Sequence, residues 1–202
     1  KKKCREEKGM FFIEGIRFVE EALKEGVQIH KILVSDKLAD TTSGSEILEK
    51  VNNGGYSVFE LPHKLFVEVS DTQNPQGILA VLDIKDYNIE DIWDNKNFFI
   101  ILDSIQDPGN MGTMIRTADA AGADAVIDLP PSASFYNPKT VRASAASILN
   151  IPLLSFEEND FLAFARKEKI NLFSAVAKGG APFRSAMFNR PACIVIGSET
   201  HG

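Results

Sequence analysis

The sequence predicts an α/β protein in two parts: a small α/β domain, then a larger domain on a mostly parallel sheet. Three observations predict it. Short apolar runs alternate with segments of helical spacing along the whole chain. An acidic stretch at residues 83–97, DIKDYNIEDIWDNKN, interrupts that alternation. Residues 98–129 read as strand, polar loop, helix and strand, a βαβ unit of the kind that takes ligands at the carboxyl ends of its strands. The expected division is a first domain over 1–82, a linker over 83–97 and a second domain over 98–202.

In the first domain, residues 11–13 predict a strand. Residues 15–24 predict a helix, with Ile16, Val19, Ala22 and Leu23 on one face. A strand at 29–34 and a helix at 45–51 follow, the helix ended by Gly54-Gly55. Residues 56–61 predict a strand, and 62–69 a helix with Pro62 near its start. A strand at 78–82 closes the domain. The second domain alternates strands at 98–102, 125–129 and 152–155 with helices at 111–121, 139–149 and 160–168. Strands at 171–175 and 192–196 complete it. Continuous apolar strands between amphipathic helices imply a parallel sheet covered on both faces.

Composition narrows the function classes. A hydrophobic content of 44% supplies a core. No apolar run reaches the ~18 residues of a membrane span, so no membrane role is expected. The two cysteines, Cys4 and Cys193, are far apart, and Cys193 sits in an apolar run, which predicts a buried free thiol. With three scattered histidines and no CxxC pair, no metal is expected. This cysteine usage fits a reducing, cytoplasmic setting. The net charge of −6 gathers in residues 83–97, which carry two basic and five acidic residues. The flanking parts are nearly neutral, so local basic patches are possible but no broad phosphate-tracking surface is expected.

Asp107-Pro-Gly-Asn-Met-Gly112 reads as a turn and helix start, with Asn110 as cap. Exposed N–H groups there would suit an anion. The segment is neither a dinucleotide GxGxxG nor a P-loop. Arg116 lies on the following helix beside the apolar side formed by Met111, Ile115 and Ala118, and looks buried; the plain alternative is a surface pair with Asp119. Asn137-Pro138-Lys139 fits N-cap and N1 rules, with Arg142 and Ser144 just behind. Glu199 follows a buried strand, where a solvated loop tip is the plain reading.

Five stretches together resemble one family. They are 102–127 (LDSIQDPGNMGTMIRTADAAGADAVI), 136–152 (YNPKTVRASAASILNIP), 192–202 (ACIVIGSETHG), 11–26 (FFIEGIRFVEEALKEG) and 71–81 (DTQNPQGILAV). In order and spacing they resemble the SpoU (TrmH-type) RNA 2'-O-ribose methyltransferases of the SPOUT class. The resemblance implies a ribosomal-protein-like first domain and a trefoil-knotted second one. It implies methyl transfer from S-adenosyl-L-methionine to a ribose 2'-hydroxyl of structured, ribosomal RNA by a homodimer. It makes Arg116, Asn110 and Glu199 the expected catalytic residues and Ala175, Ile196, Gly197 and Gly202 the expected cofactor contacts. RNA contacts are expected at Glu14, Gln76, Lys139 and Arg142, with a simple polar turn as the alternative for residues 72–76. Thr200 stands where the family usually has glycine. The resemblance also implies a third motif of strand, Ser/Asn-rich loop and helix, so the natural protein is expected to run on by roughly 50 residues.

In the family the matching arginine has been proposed as the base for the 2'-hydroxyl. Arginine has no acceptor and stays charged, so holding a phosphate or a developing alkoxide is the better chemical role for Arg116. The residues leave two rivals. One is a non-catalytic RNA-binding relative, favoured by Thr200. The other is a nucleotide-dependent oxidoreductase, which lacks its glycine fingerprint here.

Overall fold

A computed structural model describes residues 7–198. The chain divides into two units, Lys1–Lys85 and Asp86–Gly202, each built on its own sheet.

The first unit runs β1 (Met10–Glu14), α1 (Ile16–Lys24), β2 (Ile29–Ser35), α2 (Thr42–Asn53), β3 (Val58–Leu61), α3 (His63–Val69) and β4 (Ile78–Asp83). The sheet order is β1-β4-β2-β3. β4 lies antiparallel to both neighbours, while β2 and β3 are parallel. Period-2 alternation puts Ile13, Ile32 and Ala80 on one face, all completely buried, and Val19, Ala22, Ile47 and Val51 of the helices are completely buried too. α2 starts earlier than its apolar spacing suggests, because the Thr41 side chain accepts the Gly44 N–H at 3.1 Å and caps it.

The second unit begins with a short helix, α4 (Ile89–Ile92), inside the stretch expected to be a linker. Ile89 is buried, and the Trp93 ring packs 6.2 Å from Phe99 and 5.3 Å from Phe164. The acidic composition of residues 83–97 hides an inward row of Ile89, Ile92 and Trp93. Then follow β5 (Phe98–Asp103), α5 (Pro108–Ala120), β6 (Ala125–Leu129), α6 (Pro138–Ala143), β7 (Leu153–Ser155), α7 (Glu158–Lys167), β8 (Asn171–Ser174) and β9 (Ala192–Ile196). All five strands are parallel, in the order β7-β6-β5-β9-β8. Their carboxyl ends therefore share one edge. The chain builds outward from β5 through β6 to β7, then crosses to β8 and β9, so the order reverses between β5 and β9. Such a reversal opens a crevice at the carboxyl edge.

Two helix boundaries differ from expectation. α5 begins at Pro108, three residues early, because Asp107 is its cap and Pro108 its first residue. The helix expected over 139–149 ends at Ala143. Ala145 (φ 48°) and Ala146 (φ 75°) then turn left-handed, and a 3-10 turn at Ser147–Leu149 follows. Left-handed backbone costs an alanine roughly 1–2 kcal/mol, which no apolar spacing reveals. Burial of Ile148 and Leu149 offsets it. Cys193 is fully buried in β9, and burial pushes its thiol up to about 12. Cys4 lies outside the described residues. Among the described residues no helix is long and apolar enough to cross a membrane.

Candidate active site at the carboxyl edge of the parallel sheet

The loops after β5 and β6 are tied together at this edge. Ser104 (φ 58°) donates its N–H to Leu129 O at 3.3 Å, Ile105 N–H donates to Ser132 Oγ at 3.1 Å, and Ala133 N–H to Ile105 O at 2.7 Å. The chain then enters α5 through Asp107. Its Oδ1 accepts the Asn110 N–H at 2.9 Å, and its Oδ2 accepts from Lys139 Nζ at 2.8 Å. The Lys139 bond first, then the Asn110 N–H, holds the Asp107 carboxyl below the usual carboxylate value. Asn110 is thus the third residue of the helix and not its cap, which corrects the expectation.

Gly112 sets how closely α5 meets α6. A Cβ there would lie 2.4 Å from Thr140 O and 2.6 Å from Ala143 Cβ. Only glycine allows that approach, and it fixes the α5 residues beyond it relative to the edge. Arg116 stands one turn further on. It is exposed, not buried, and among the described residues it has no ion-pair partner, Asp119 included. Helical side chains lean toward the N-terminus, so the guanidinium of Arg116 leans back toward the carboxyl edge. Among the described residues its charge is unspent.

Lys139 and Arg142 lie on α6 and are exposed. Asn137 caps α6 by accepting the Lys139 N–H at 2.9 Å, as its sequence predicts. The Lys139 ammonium is committed to Asp107.

On the other side of β5, a cavity of about 630 Å³ opens along β8, β9 and the segment that follows β8. Leu172, Phe173, Val176, Phe188, Ile194 and Ile196 make it apolar. Phe173 and Phe188 meet edge to face at 4.9 Å and hold the wall. Ala175 and Ile196, named from the sequence, both line it. The Ala175 N–H donates to Val195 O at 2.9 Å, so β8 pairing runs on to the rim. Gly197 follows at the end of β9, half-buried. Glu199, Thr200 and Gly202 lie outside the described residues. The volume suits a small cofactor, since such sites run about 300–1,000 Å³ with apolar walls and few polar groups.

Glu14 and Gln76 sit in the first unit, and both are used internally. Glu14 accepts from Ser70 Oγ at 2.5 Å, from the Asp71 N–H at 3.0 Å and from Thr72 Oγ1. Gln76 Oε1 accepts the Ile16 N–H at 2.9 Å and supplies the cap that Gly15 cannot. A Cβ on Gly15 (φ 108°) would come within 2.9 Å of that oxygen.

The sequence marks the segment from Asp107 to Gly112 but not the role of each residue in it, and it does not mark the cavity rim. Asp107 was legible, since Asp-Pro is an N-cap followed by N1. Gly112 had no signal beyond being a glycine inside a helix. Phe188 and the Lys178-Gly179-Gly180 rim of the cavity lie in a stretch with no periodicity.

Comparison with known proteins gives this edge its context. Residues 97–202 match the SpoU rRNA Methylase family, and residues 1–80 match an MRM3-like substrate binding domain. The chain is 32% identical to the 23S rRNA (guanosine(2553)-2'-O)-methyltransferase RlmP of Bacillus subtilis, covering 100% of this chain and 76% of that protein. It is 26% identical to the 23S rRNA (uridine(2479)-2'-O)-methyltransferase of Streptomyces viridochromogenes, covering 96% of this chain and 69% of that protein. The crystal structure of an AdoMet-bound rRNA methyltransferase from Sinorhizobium meliloti superposes with a TM-score of 0.85 at 27% identity, covering 100% of this chain and 76% of that one. With the family match spanning 97–202 and a relative above 30% identity aligned over the whole of this chain and 76% of its own length, the chain belongs to the SpoU rRNA methylase family.

Proposed function

We propose that this protein transfers a methyl group from S-adenosyl-L-methionine to a ribose 2'-hydroxyl of ribosomal RNA. One observation carries the reading: the family match covers a parallel-sheet unit whose carboxyl edge has an apolar cavity on one side of β5 and, on α5, an exposed arginine with no ion pair among the described residues. The relatives named above are rRNA 2'-O-methyltransferases, and one structural neighbour is AdoMet-bound.

The cavity walls Phe173, Val176 and Ile196 would take the adenine and methionyl carbons, with backbone at Ala175 and Gly197 for polar contacts. The bound cofactor supplies a methyl group on a good leaving group, so the protein has little covalent chemistry to perform. What remains is to align the ribose oxygen and favour loss of its proton. Arg116 holds the negative charge that grows on the 2'-oxygen; its fork suits an alkoxide or the adjacent phosphate. Asn110 and Glu199 complete the catalytic set in this reading, Asn110 from the first turn of α5. Gly202 joins the cofactor contacts. The family resemblance supports a homodimer, and a ribosomal substrate supports a cytoplasmic setting.

Calorimetric titration of the protein with S-adenosyl-L-methionine tests the reading. One site of micromolar affinity, weakened when Ile196→Glu places a charge in the cavity wall, is expected. Absence of heat at millimolar cofactor would remove it.

A further inference from the structure

The first unit carries a feature that the site above does not use. Four of the large hydrophobic side chains exposed among the described residues lie within β3 and α3: Phe59, Leu65, Val67 and Val69. Phe59 differs from the rest in having a cation above it. Lys31 Nζ of the neighbouring strand lies 5.5 Å from its ring centroid. Phe59 is 48% exposed, and β3 pairs only with β2, so it forms the edge of its sheet.

The register says what shares the face. Phe59 pairs with Leu33, and Leu33 with Leu79; one step along, Lys31 pairs with Val81 and Val81 with Phe12. Period-2 alternation puts Phe12, Val81, Lys31, Leu33 and Phe59 on one side, opposite the buried Ile13, Ala80 and Ile32. Leu79 in the first row is buried, whereas Phe12 and Val81 are only half-buried and Lys31 is exposed. Two acids share the face. Glu14 is held by Ser70, Asp71 and Thr72, and Asp83 lies 2.5 Å from His30. Neither competes for Lys31.

We propose that Phe59 and Lys31 form a stacking site for an unpaired nucleotide of the RNA substrate, the base against the ring and the ammonium on the phosphate. This rests on the RNA-methylating reading above, and it adds where the first unit grips the RNA. Aromatic side chains on a sheet take splayed-out bases in this way, with sequence tolerance, because every base has a π-face. An all-apolar protein partner would not call for a cation over the ring. Both residues lie within residues 1–80, the stretch that matches an MRM3-like substrate binding domain.

The test uses fluorescein-labelled single-stranded U12 RNA and a 12-base-pair RNA duplex, with binding read by anisotropy at fixed salt. Phe59→Ala should weaken U12 binding about ten- to a hundred-fold and leave the duplex unchanged. Phe59→Trp should keep the affinity and show quenched emission when U12 binds. Lys31→Gln should lower the slope of log affinity against log salt by about 0.7, one phosphate contact on a single strand. Matching melting temperatures show that the variants fold. Failure of wild-type protein to bind U12, equal affinity of Phe59→Ala, or a change only in self-association by light scattering would overturn the inference. Methyl transfer to rRNA and cofactor titration are read separately, so either claim can fail while the other stands.

Discussion

Two polar regions of this chain look alike in sequence and differ in structure. At the junction of β1 and α1, Glu14 and Gln76 are engaged internally: one ties down residues 70–72, and the carboxamide oxygen of the other caps α1. At the carboxyl edge of the parallel sheet, Arg116 is exposed with no ion pair among the described residues, and the cavity along β8 and β9 has open apolar walls. Internal partners consume Glu14 and Gln76 in the first region, whereas Arg116 in the second has no ion pair among the described residues. A polar residue at a conspicuous position is a functional candidate only when the fold has not already used it.

The largest effect should come from the available charge. Arg116→Ala should lower methyl transfer about 10²–10³-fold, the usual cost of removing one oxyanion donor, with cofactor affinity unchanged. Arg116→Lys should recover little, because an ammonium lacks the fork. Rates with radiolabelled cofactor and rRNA check this, and wild-type turnover by Arg116→Ala would erase the contrast between the two regions.

Next comes the packing beneath the edge. Gly112→Ala forces a methyl group against Thr140 O and Ala143 Cβ, and should destabilise the protein by about 1–3 kcal/mol in urea titration. An unchanged midpoint would mean that α5 and α6 do not meet as described.

The consumed residues should act on stability. Gln76→Ala removes the cap of α1 and should cost about 1 kcal/mol. Its RNA affinity, measured well below the melting temperature, should match wild type. A loss of RNA affinity with unchanged stability would return Gln76 to the binding surface and blunt the comparison.

The smallest effect concerns pH. The Asp107 carboxyl titrates lower in the folded chain than its ordinary 3.8, chiefly through Lys139. A depressed folded value adds stability above the unfolded pKa, and that stability is lost as pH falls through the folded value. Asp107→Asn should therefore narrow the stability gap to wild type as pH drops below about 4, with the full difference kept at neutral pH. A gap that stays constant from neutral pH down to pH 2 would assign the difference to capping geometry alone.

Much of this was legible in the sequence because the determinants are local. Apolar runs anticipated all nine strands among the described residues, and burial on both faces imposes such runs on β5 and β6. Ala175 and Ile196 were named through the family resemblance, and both line the cavity along β8 and β9. What escaped depends on tertiary partners. The exposure of Arg116 is set by how α5 is rotated on the sheet, which a weakly amphipathic helix does not encode. The early stop of α6 lies in the backbone of Ala145 and Ala146, two residues that favour helix everywhere else. The packing of Ile89–Trp93 was masked by acidic neighbours, and the use of Gln76 as a cap needs residue 16 to come from sixty positions away.

The central claim is a methyl group placed on a ribose oxygen with the help of Arg116. The most direct measurement incubates the protein with tritiated S-adenosyl-L-methionine and unmodified ribosomal RNA, digests the RNA to nucleosides and separates them by chromatography. Label in a single 2'-O-methylnucleoside is expected with the wild type and almost none with Arg116→Ala. Label on a base, or equal label from both proteins, would contradict it.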